Sequence, residues 1–307
     1  MNKKIVITGG SGFVGRRLVE ALIARGDRVT VLTRDPARAR PHLPEGASVA
    51  AWDPAGAGAW TRELEGASVV VHLAGEPVAQ RWTRAVKDRI VQSRVDSTRV
   101  IVDAIARLAD KPAALVCASA IGIYGARDPG EELDEDAAPG EGFLADVVRR
   151  WEAEARRAAE HGVRDVELRI GVVLGEGGGA VDKMIVPFKL FAGGPVGDGR
   201  QVISWIHRDD VIGLVLLAID DERARGPINV VAPRAATSAE LARAIGGAMG
   251  RPSWLPVPGF ALRLAMGEAA EVLTTGQRVV PRRALDLGYV FRRAELGPAL
   301  RSILGRG

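Results

Sequence analysis

A glycine-rich segment directly after the first apolar run constrains the fold of this chain more than any other feature. Residues 3–8 have the pattern of a short buried strand, and residues 16–24 carry apolar side chains at helical spacing. Gly9, Gly12 and Gly15 lie between the two. Glycines at this spacing let the chain turn tightly, bring its backbone against a phosphate group and pack the helix closely on the strand. The segment therefore predicts a dinucleotide-binding turn, in which the helix N-terminus faces the pyrophosphate.

Strand and helix patterns alternate along the first half of the chain. Strands that alternate with helices of ten or more residues favour a parallel sheet covered on both faces. The predicted fold class is therefore α/β, a Rossmann-type doubly wound parallel sheet that binds ligands at the carboxyl ends of its strands. A Pro-, Ala- and Gly-rich stretch at 35–61 is predicted to be an irregular loop. The predicted segments are strands at 3–8, 28–33, 67–74, 113–119 and 163–174, and helices at 16–24, 80–108 and 142–161.

The regular alternation ends after Leu174, where two glycine-rich segments flank an apolar helical stretch. Further on, the sequence Thr-Ser-Ala-Glu from Thr237 has the pattern of a capping box and predicts a helix to about Met249. We read this second part as a smaller C-terminal α/β lobe that covers one end of the sheet. The predicted units are an NAD(P)-binding Rossmann domain at 1–230, whose excursion at 175–204 contributes to the substrate side, and a C-terminal substrate-side domain at 231–307.

Composition favours an ordinary globular enzyme. The 307 residues are 47% hydrophobic and 26% charged, the net charge is only +4, and the arginines are dispersed, so we expect no nucleic-acid partner and no membrane partner. The chain starts in a strand pattern rather than a signal segment, and a cytoplasmic location is expected. Cys117, the only cysteine, is expected to be a buried thiol. The histidines show no metal-ligand spacing, so no metal site is expected.

Arg34 bears on the choice of cofactor because it follows the second predicted strand. An NAD-preferring site places a carboxylate there, on the ribose 2′-hydroxyl. A guanidinium instead suits a 2′-phosphate by charge and by bidentate geometry, and Arg38 could assist. Asp35, the next residue, argues in the other direction. NADP is therefore the predicted cofactor, with NAD as the weaker alternative.

Several short phrases of the sequence bear on its relationships. Three of them are Thr8-Gly9-Gly10-Ser11-Gly12-Phe13-Val14-Gly15, Leu73-Ala74-Gly75 and Ile206-His207-Arg208-Asp209-Asp210, with Ser119 between the last two. Together they resemble the extended short-chain dehydrogenases/reductases, the sugar epimerase and dehydratase group. Through Ser93-Arg94, Trp151-Glu152 and Ser204-Trp205-Ile206-His207, the chain is similar, more narrowly, to the atypical "epimerase family" subgroup. The tail, from Gly250-Arg251-Pro252 onward, is similar to that subgroup's C-terminal domain of unknown function.

The resemblance implies an NAD(P) site and a cleft over the nicotinamide for a small-molecule substrate. It places Ser119 near the nicotinamide and the backbone of Val173 near the carboxamide. Arg94, on the long helix, could reach a phosphate or ribose of the cofactor. The predicted cofactor-binding residues are Gly9, Gly12, Phe13, Val14, Gly15, Thr33, Arg34, Leu73, Ala74, Gly75, Arg94, Ser119 and Val173.

The catalytic pair of typical members, Tyr-x-x-x-Lys, is missing from this chain. The two tyrosines, Tyr124 and Tyr289, have no lysine four residues later. In the helix where the pair is expected, Leu144 and Val148 occupy the two positions, and neither can exchange protons. Ordinary reductase or epimerase catalysis is therefore in doubt.

Ser119 and Tyr124 are the remaining catalytic candidates. The Ser119 hydroxyl could bind a substrate carbonyl, and the Tyr124 phenol could act as an acid, although packing or stacking is the alternative for Tyr124. His207 and Glu76 are further acid–base candidates, with a structural anchor as the alternative for His207. Two functions stay open: an NADP(H)-dependent oxidoreductase or epimerase-like enzyme for an unknown small molecule, and a catalytically inactive NADP(H)-binding sensor or interaction module. Either would be a monomer or a homodimer.

Overall fold

The structure is a computed structural model that describes residues 2–305, apart from the side chain of Ala265. Its strands are β1 (Lys4–Thr8), β2 (Arg28–Thr33), β3 (Ser48–Ala51), β4 (Val69–His72), β5 (Ala114–Ala120), β6 (Glu132–Leu133), β7 (Arg164–Ile170), β8 (Val172–Leu174), β9 (Val202–Ile203), β10 (Trp205–His207), β11 (Gly226–Val230), β12 (Ala236–Thr237) and β13 (Arg278–Val279). Its α-helices are α1 (Phe13–Ala24), α2 (Pro36–Ala39), α3 (Arg84–Val91), α4 (Ser97–Ala106), α5 (Phe143–Arg156), α6 (Gly179–Lys189), α7 (Arg208–Asp220), α8 (Ser238–Met249), α9 (Gly259–Met266), α10 (Glu271–Thr274), α11 (Arg282–Asp286) and α12 (Leu296–Leu304).

A seven-stranded parallel sheet lies at the centre, in the order β11-β7-β5-β4-β1-β2-β3. Alternate side chains of β1 pack on opposite layers: Ile5 and Ile7 join the core under α1 and α7, and Val6 joins the core under α4 and α5. Burial on both faces explains why these strands are apolar throughout. Because β1 pairs with both β2 and β4, the chain order reverses there and leaves a crevice at the carboxyl ends of these strands. The predicted α/β Rossmann-type fold is confirmed.

The two edges of the sheet and one strand break differ from the sequence prediction. The stretch 35–61, predicted to be an irregular loop, contains α2 and the edge strand β3, which pairs with β2. At the other edge, β11 pairs with β7. The strand predicted at 163–174 is interrupted at Gly171, where the Ser204 carbonyl oxygen approaches so closely that a Cβ would lie 2.4 Å from it. After the break, β8 leaves the main sheet and pairs with β10.

Helices α6, α8 and α12 build a separate apolar cluster beside the sheet. The predicted capping box of α8 is confirmed: Thr237 Oγ1 accepts from the Glu240 N–H at 3.1 Å, and the Glu240 carboxylate accepts from the Thr237 N–H at 2.8 Å. The chain then returns to the Rossmann part, where β13 pairs with β6. Across residues 2–305, no helix has the length and apolar character to cross a bilayer. The division at residue 230 stays a prediction.

Candidate functional site

The three glycines of the turn between β1 and α1 have different steric roles. Gly9 has a φ of +71°, and a Cβ on it would lie 2.8 Å from the Ala74 nitrogen at the end of β4. A Cβ on Gly15 would lie 2.1 Å from the Gly9 carbonyl oxygen, so Gly15 permits close packing of α1 on the turn. A Cβ on Gly12 would approach only that same oxygen, at 3.2 Å, and would otherwise face open space. The exposed Gly12 side of the turn is therefore where a phosphate can approach the backbone.

The N-terminus of α1 has no acceptor of its own. Its N-cap, Gly12, offers no side chain, and the first turn contains no acidic residue. The first N–H groups of the helix are thus available to an anion, which the helix dipole also favours. The structure brings the predicted residues of this region together at one edge of the sheet: Gly9, Gly12, Phe13, Val14, Gly15, Leu73, Ala74 and Gly75.

Phe13, the first residue of α1, is covered by the glycine-rich loop that follows β8. Cβ atoms on Gly175, Gly178 and Gly179 would lie 3.0, 2.8 and 2.7 Å from its ring, so only glycines allow this contact. The Arg208 guanidinium lies 4.7 Å from the centre of the same ring. The Gly175-Glu-Gly-Gly-Gly segment, which the sequence assigned to the substrate side, therefore covers the dinucleotide turn.

A buried chain of hydrogen bonds fixes the end of β4 beside the turn. Thr8 Oγ1 lies 2.6 Å from His72 Nδ1, and His72 Nε2 lies 3.1 Å from Ser97 Oγ. Since Thr8 Oγ1 accepts from the Ala74 N–H and Ser97 donates to the Ser93 carbonyl, the consistent assignment is a neutral His72 protonated on Nε2. Burial lowers the pKa of His72 to about 3, which keeps the ring neutral. This buried chain explains why a histidine lies inside a parallel sheet.

At the end of β2, Arg34 and Arg38 are exposed. The Asp35 carboxylate, which argued against NADP in the sequence, accepts from the Arg38 N–H at 3.0 Å and caps α2. One oxygen of the Asp35 carboxylate is therefore hydrogen-bonded to the backbone of α2. Thr33 ends the strand, and its hydroxyl accepts from the Asp35 N–H at 3.4 Å. Two cationic side chains are thus available beside the carboxyl end of β2.

A cavity of about 310 Å³ opens beside the carboxyl ends of β5 and β7. Leu144 and Val148, which occupy the positions of the missing catalytic pair, both line it, and the cavity stays open in spite of them. Its charged lining side chains within residues 2–305 are Arg94, Glu141 and Glu271, and both glutamates are exposed at the rim. The apolar side chains around it are Val78, Trp82, Ile121, Phe143, Leu144, Val147, Val148, Ile170, Val172 and Val272.

The structure places the Ser119 and Tyr124 side chains outside the cavity lining, and the catalytic roles predicted for them stay predictions. Ser119 is 4% exposed and donates to Glu152 Oε1 at 2.6 Å, because the alternation along β5 directs Ala120, not Ser119, into the cavity. Tyr124 is fully buried and donates to Asn229 Oδ1 at 2.7 Å. Burial also raises the pKa of Tyr124, which makes the phenol a weaker acid. Neither hydroxyl lines the cavity.

Both hydroxyls belong to a buried polar network centred on Arg169, which the sequence analysis missed. Arg169 Nε and Nη2 donate to the two carboxylate oxygens of Glu152 at 2.8 and 3.0 Å, and Nη1 donates to the Tyr124 hydroxyl at 2.9 Å. Asn229 Nδ2 in turn donates to the Val280 carbonyl at 3.0 Å. The network therefore joins β5, β7, α5 and β11 to the segment after β13. An arginine inside an apolar strand pattern was the available signal.

The other acid–base candidates also have structural partners. His207 is the N-cap of α7, and its Nδ1 accepts from the Asp209 N–H at 3.1 Å. Burial lowers the pKa of His207, so the ring is neutral and can accept this bond. Glu76 Oε1 accepts from Gln80 at 3.0 Å and lies 3.5 Å from Arg89 Nε, outside the cavity lining. The structural alternative for His207 is therefore the better supported one.

Arg94 lies between the turn after β4 and the cavity. A Cβ on Gly75 would lie 3.2 Å from Arg94 Cζ, and the guanidinium lies 5.3 Å from the centre of the Trp151 ring. Burial lowers the pKa of Arg94 to about 10, so it stays charged at neutral pH. The predicted contacts of Arg94 and Val173 with the cofactor stay predictions. Gly171 and Val172 line the cavity, and Val173 does not.

Glu167 is a buried carboxyl without a hydrogen-bond partner. It lies on β7 opposite Cys117 of β5 and is 0% exposed, and neither carboxyl oxygen has a partner within residues 2–305. Burial, with smaller contributions from Asp165 and Glu152, raises the pKa of Glu167 to about 8. The side chain is therefore largely protonated at neutral pH. Burial likewise raises the pKa of Cys117, which is buried as predicted.

Glu167→Gln is expected to reduce the pH dependence of stability. Unfolded glutamate has a pKa of about 4.3, so from there to about pH 8 the folded state retains a proton that the unfolded chain has lost. The proton retained by Glu167 stabilises the folded state fully below about pH 4.3. Above that pH, the free energy of unfolding declines by about 1.4 kcal/mol per pH unit until about pH 8. Between about pH 5.5 and 7.5, the parent should lose about 3 kcal/mol of unfolding free energy relative to Glu167→Gln in urea unfolding. Parallel pH profiles would contradict this, and Glu160→Gln, at an exposed position, is the control.

Comparisons with known proteins agree with this geometry. Residues 5–231 match the NAD dependent epimerase/dehydratase family, and residues 257–303 match a domain of unknown function, DUF1731. The chain is 40% identical over 306 residues to the chloroplastic epimerase family protein SDR39U1 homolog of Arabidopsis thaliana, covering 98% of this chain and 86% of that protein. The crystal structure of human epimerase family protein SDR39U1 with NADPH superposes with a TM-score of 0.86 at 34% identity, covering 99% of both chains. A UDP-glucuronic acid 4-epimerase of Bacillus cereus, 17% identical over 98% of both chains with a TM-score of 0.80, shares the fold.

Proposed function

Because the chain belongs to the NAD dependent epimerase/dehydratase family, we propose that it binds NADP(H) and acts as an oxidoreductase or epimerase-like protein on a small molecule. The uncapped N-terminus of α1 beside the open face of Gly12 is the observation that carries the proposal. A second support comes from the end of β2, where the ribose 2′ group would lie. There the Asp35 carboxylate caps α2, and the exposed Arg34 and Arg38 are available to a 2′-phosphate. A third is that a human relative was crystallised with NADPH.

The residues present fit the cofactor, which would supply the hydride. The N–H groups of the first turn of α1 would bind the pyrophosphate, and Arg34 would bind the 2′-phosphate. The wall formed by Gly171 and Val172 would border the nicotinamide side, and the cavity would hold the substrate with little water. Within residues 2–305, no tyrosine, lysine or histidine side chain lines this cavity. Any proton that accompanies hydride transfer would therefore move to or from water, the substrate itself, or the Glu141 and Glu271 carboxylates at the rim.

The apolar wall formed by Leu144 and Val148 favours a second candidate, an NADP(H)-binding sensor or interaction module without catalysis. The two candidates share the cofactor site and differ in what lies over the nicotinamide. A crystal structure with bound NADPH separates them. An accessible space above the nicotinamide, continuous with the cavity, supports the enzyme, whereas a nicotinamide face covered by Leu144 supports the sensor.

NADPH is expected to bind at least about tenfold more tightly than NADH, because the 2′-phosphate adds charge-assisted hydrogen bonds. Fluorescence titration of the full chain with each nucleotide measures the two affinities. A dissociation constant of about 1 mM corresponds to a binding free energy of only about −4 kcal/mol. If neither nucleotide binds at this concentration, the proposal is refuted. Equal affinities would refute the assignment of the 2′-phosphate contact.

A further inference from the structure

The Arg94 side chain has no anionic partner in residues 2–305, although it lines the cavity. Its Nη1 donates to the Glu76 carbonyl oxygen at 2.9 Å. Nε and Nη2 donate to no atom of the described chain, and neither is among the nitrogens sealed from solvent. The Glu76 carboxylate, which is close enough to influence the pKa of Arg94, bonds to Gln80 and lies beside Arg89 instead. One edge of the guanidinium is therefore left for a ligand.

The local structure holds this guanidinium in place. Arg94 lies in a π-helical turn, Gln92–Asp96, between α3 and α4. Such turns interrupt an α-helix and are frequent at functional sites. Gly75 gives room beside the guanidinium, since a Cβ there would lie 3.2 Å from Arg94 Nη2, and the Trp151 ring centre lies 5.3 Å from Arg94 Cζ. Partial burial of an unpaired cation is unfavourable, so its retention here points to an anion that binds it.

The remaining lining defines what kind of anion fits. The cavity wall is mostly aliphatic and aromatic, and the other charged side chains, Glu141 and Glu271, are exposed at the rim. A free Nε–Nη2 edge matches the two oxygens of a planar carboxylate. Such a site suits a molecule with a compact apolar body and one carboxylate.

We propose that Arg94 binds the carboxylate of a small, mostly apolar substrate whose body fills the cavity. This assignment rests on the proposed function, because it takes the cavity as the substrate site. It makes Arg94 a specificity-determining residue: the guanidinium would orient the substrate from the β4 side of the cavity, while Leu144, Val148 and Val172 contact its apolar body.

The experiment uses benzoate and its neutral analogue benzamide as probes of the NADPH-loaded full chain, with binding followed by saturation-transfer NMR titration. The parent is expected to bind benzoate at least about tenfold more tightly than benzamide, in line with a charge-assisted bidentate pair. Arg94→Met keeps the length and removes the charge, and the preference should disappear. Arg94→Lys should retain part of it. The matched control is Arg84→Met, since Arg84 is exposed at the start of α3 outside the cavity lining.

The outcomes separate this inference from the function on which it rests. The NADPH affinity and thermal unfolding of every variant are measured in the same samples. A preference for benzoate that persists in Arg94→Met, or that is absent from the NADPH-loaded parent, overturns the inference while the cofactor site stands. Loss of NADPH affinity in Arg94→Met with an unchanged benzoate preference assigns Arg94 to the cofactor and also overturns it. A parent that binds no NADPH refutes the proposed function instead.

Discussion

Gly12→Val is expected to fold like the parent and to bind NADPH about a hundredfold more weakly or worse, a loss of about 2.8 kcal/mol or more. Its Cβ would approach only the Gly9 carbonyl oxygen, at 3.2 Å, so a shift of a few tenths of an ångström accommodates it. The backbone φ of Gly12 is −78°, which any residue adopts. The added side chain would occupy the open face of the turn, where the pyrophosphate has to approach the backbone. Fluorescence titration and thermal unfolding measure the two properties.

Gly15→Ala is the contrast for this variant. A Cβ there would lie 2.1 Å from the Gly9 carbonyl oxygen and 2.7 Å from Gly10 Cα, both backbone atoms that cannot move aside alone. The substitution should therefore destabilise the fold by about 3 kcal/mol or more, with the loss of NADPH binding following from the damaged turn. If Gly12→Val instead held NADPH as firmly as the parent, the dinucleotide would have to bind elsewhere.

The sequence predicted the first βαβ unit closely because its signals are local. The apolar run of β1, the glycines and the helical spacing of α1 all lie within 25 residues. The strand and the helix follow from the spacing of apolar residues, and the glycines from the steric demands of the tight turn. The edge strand β3 was missed, since two of its four residues are exposed and its flanks are rich in proline and glycine. The break at Gly171 was missed as well, because it results from the approach of Ser204, which is distant in sequence.

Within the site, position along the chain was easier to predict than side-chain direction. Leu144 and Val148 line the cavity as the missing catalytic pair suggested. Ser119 and Tyr124 were placed at the correct edge of the sheet, but their hydroxyls bond to Glu152 and Asn229. These partners are 33 and 105 residues away, so no local pattern could reveal them.

Arg94 shows the same limit from the opposite side. In the sequence, Arg94 is one of several arginines on the predicted long helix, and nothing local sets it apart from the others. What distinguishes it is its contact with Gly75 and Trp151 and its place in a π-helical turn. These are tertiary features, and they convert an ordinary surface residue into a partly buried cation with one free edge.

Arg34→Ala is expected to weaken NADPH binding by about 10- to 100-fold while changing NADH affinity by no more than about threefold. Hydrogen bonds between charged groups contribute about 1.5–3 kcal/mol, and only NADPH carries the 2′-phosphate that can form them. Arg34 is exposed at the end of β2, so its removal should leave thermal stability unchanged. The selectivity should also fall with increasing salt, because exposed charges are screened.

Arg28→Ala is the matched control. Arg28 is an exposed arginine at the amino end of β2, whereas Arg34 follows its carboxyl end. Both variants remove one positive charge, so a general electrostatic effect would weaken NADPH equally in the two. A loss confined to Arg34→Ala requires a local contact with the 2′-phosphate. An equal loss of NADPH and NADH in Arg34→Ala would instead mean that this side chain supports the shape of the site, and the preference for NADP(H) would then have to come from Arg38.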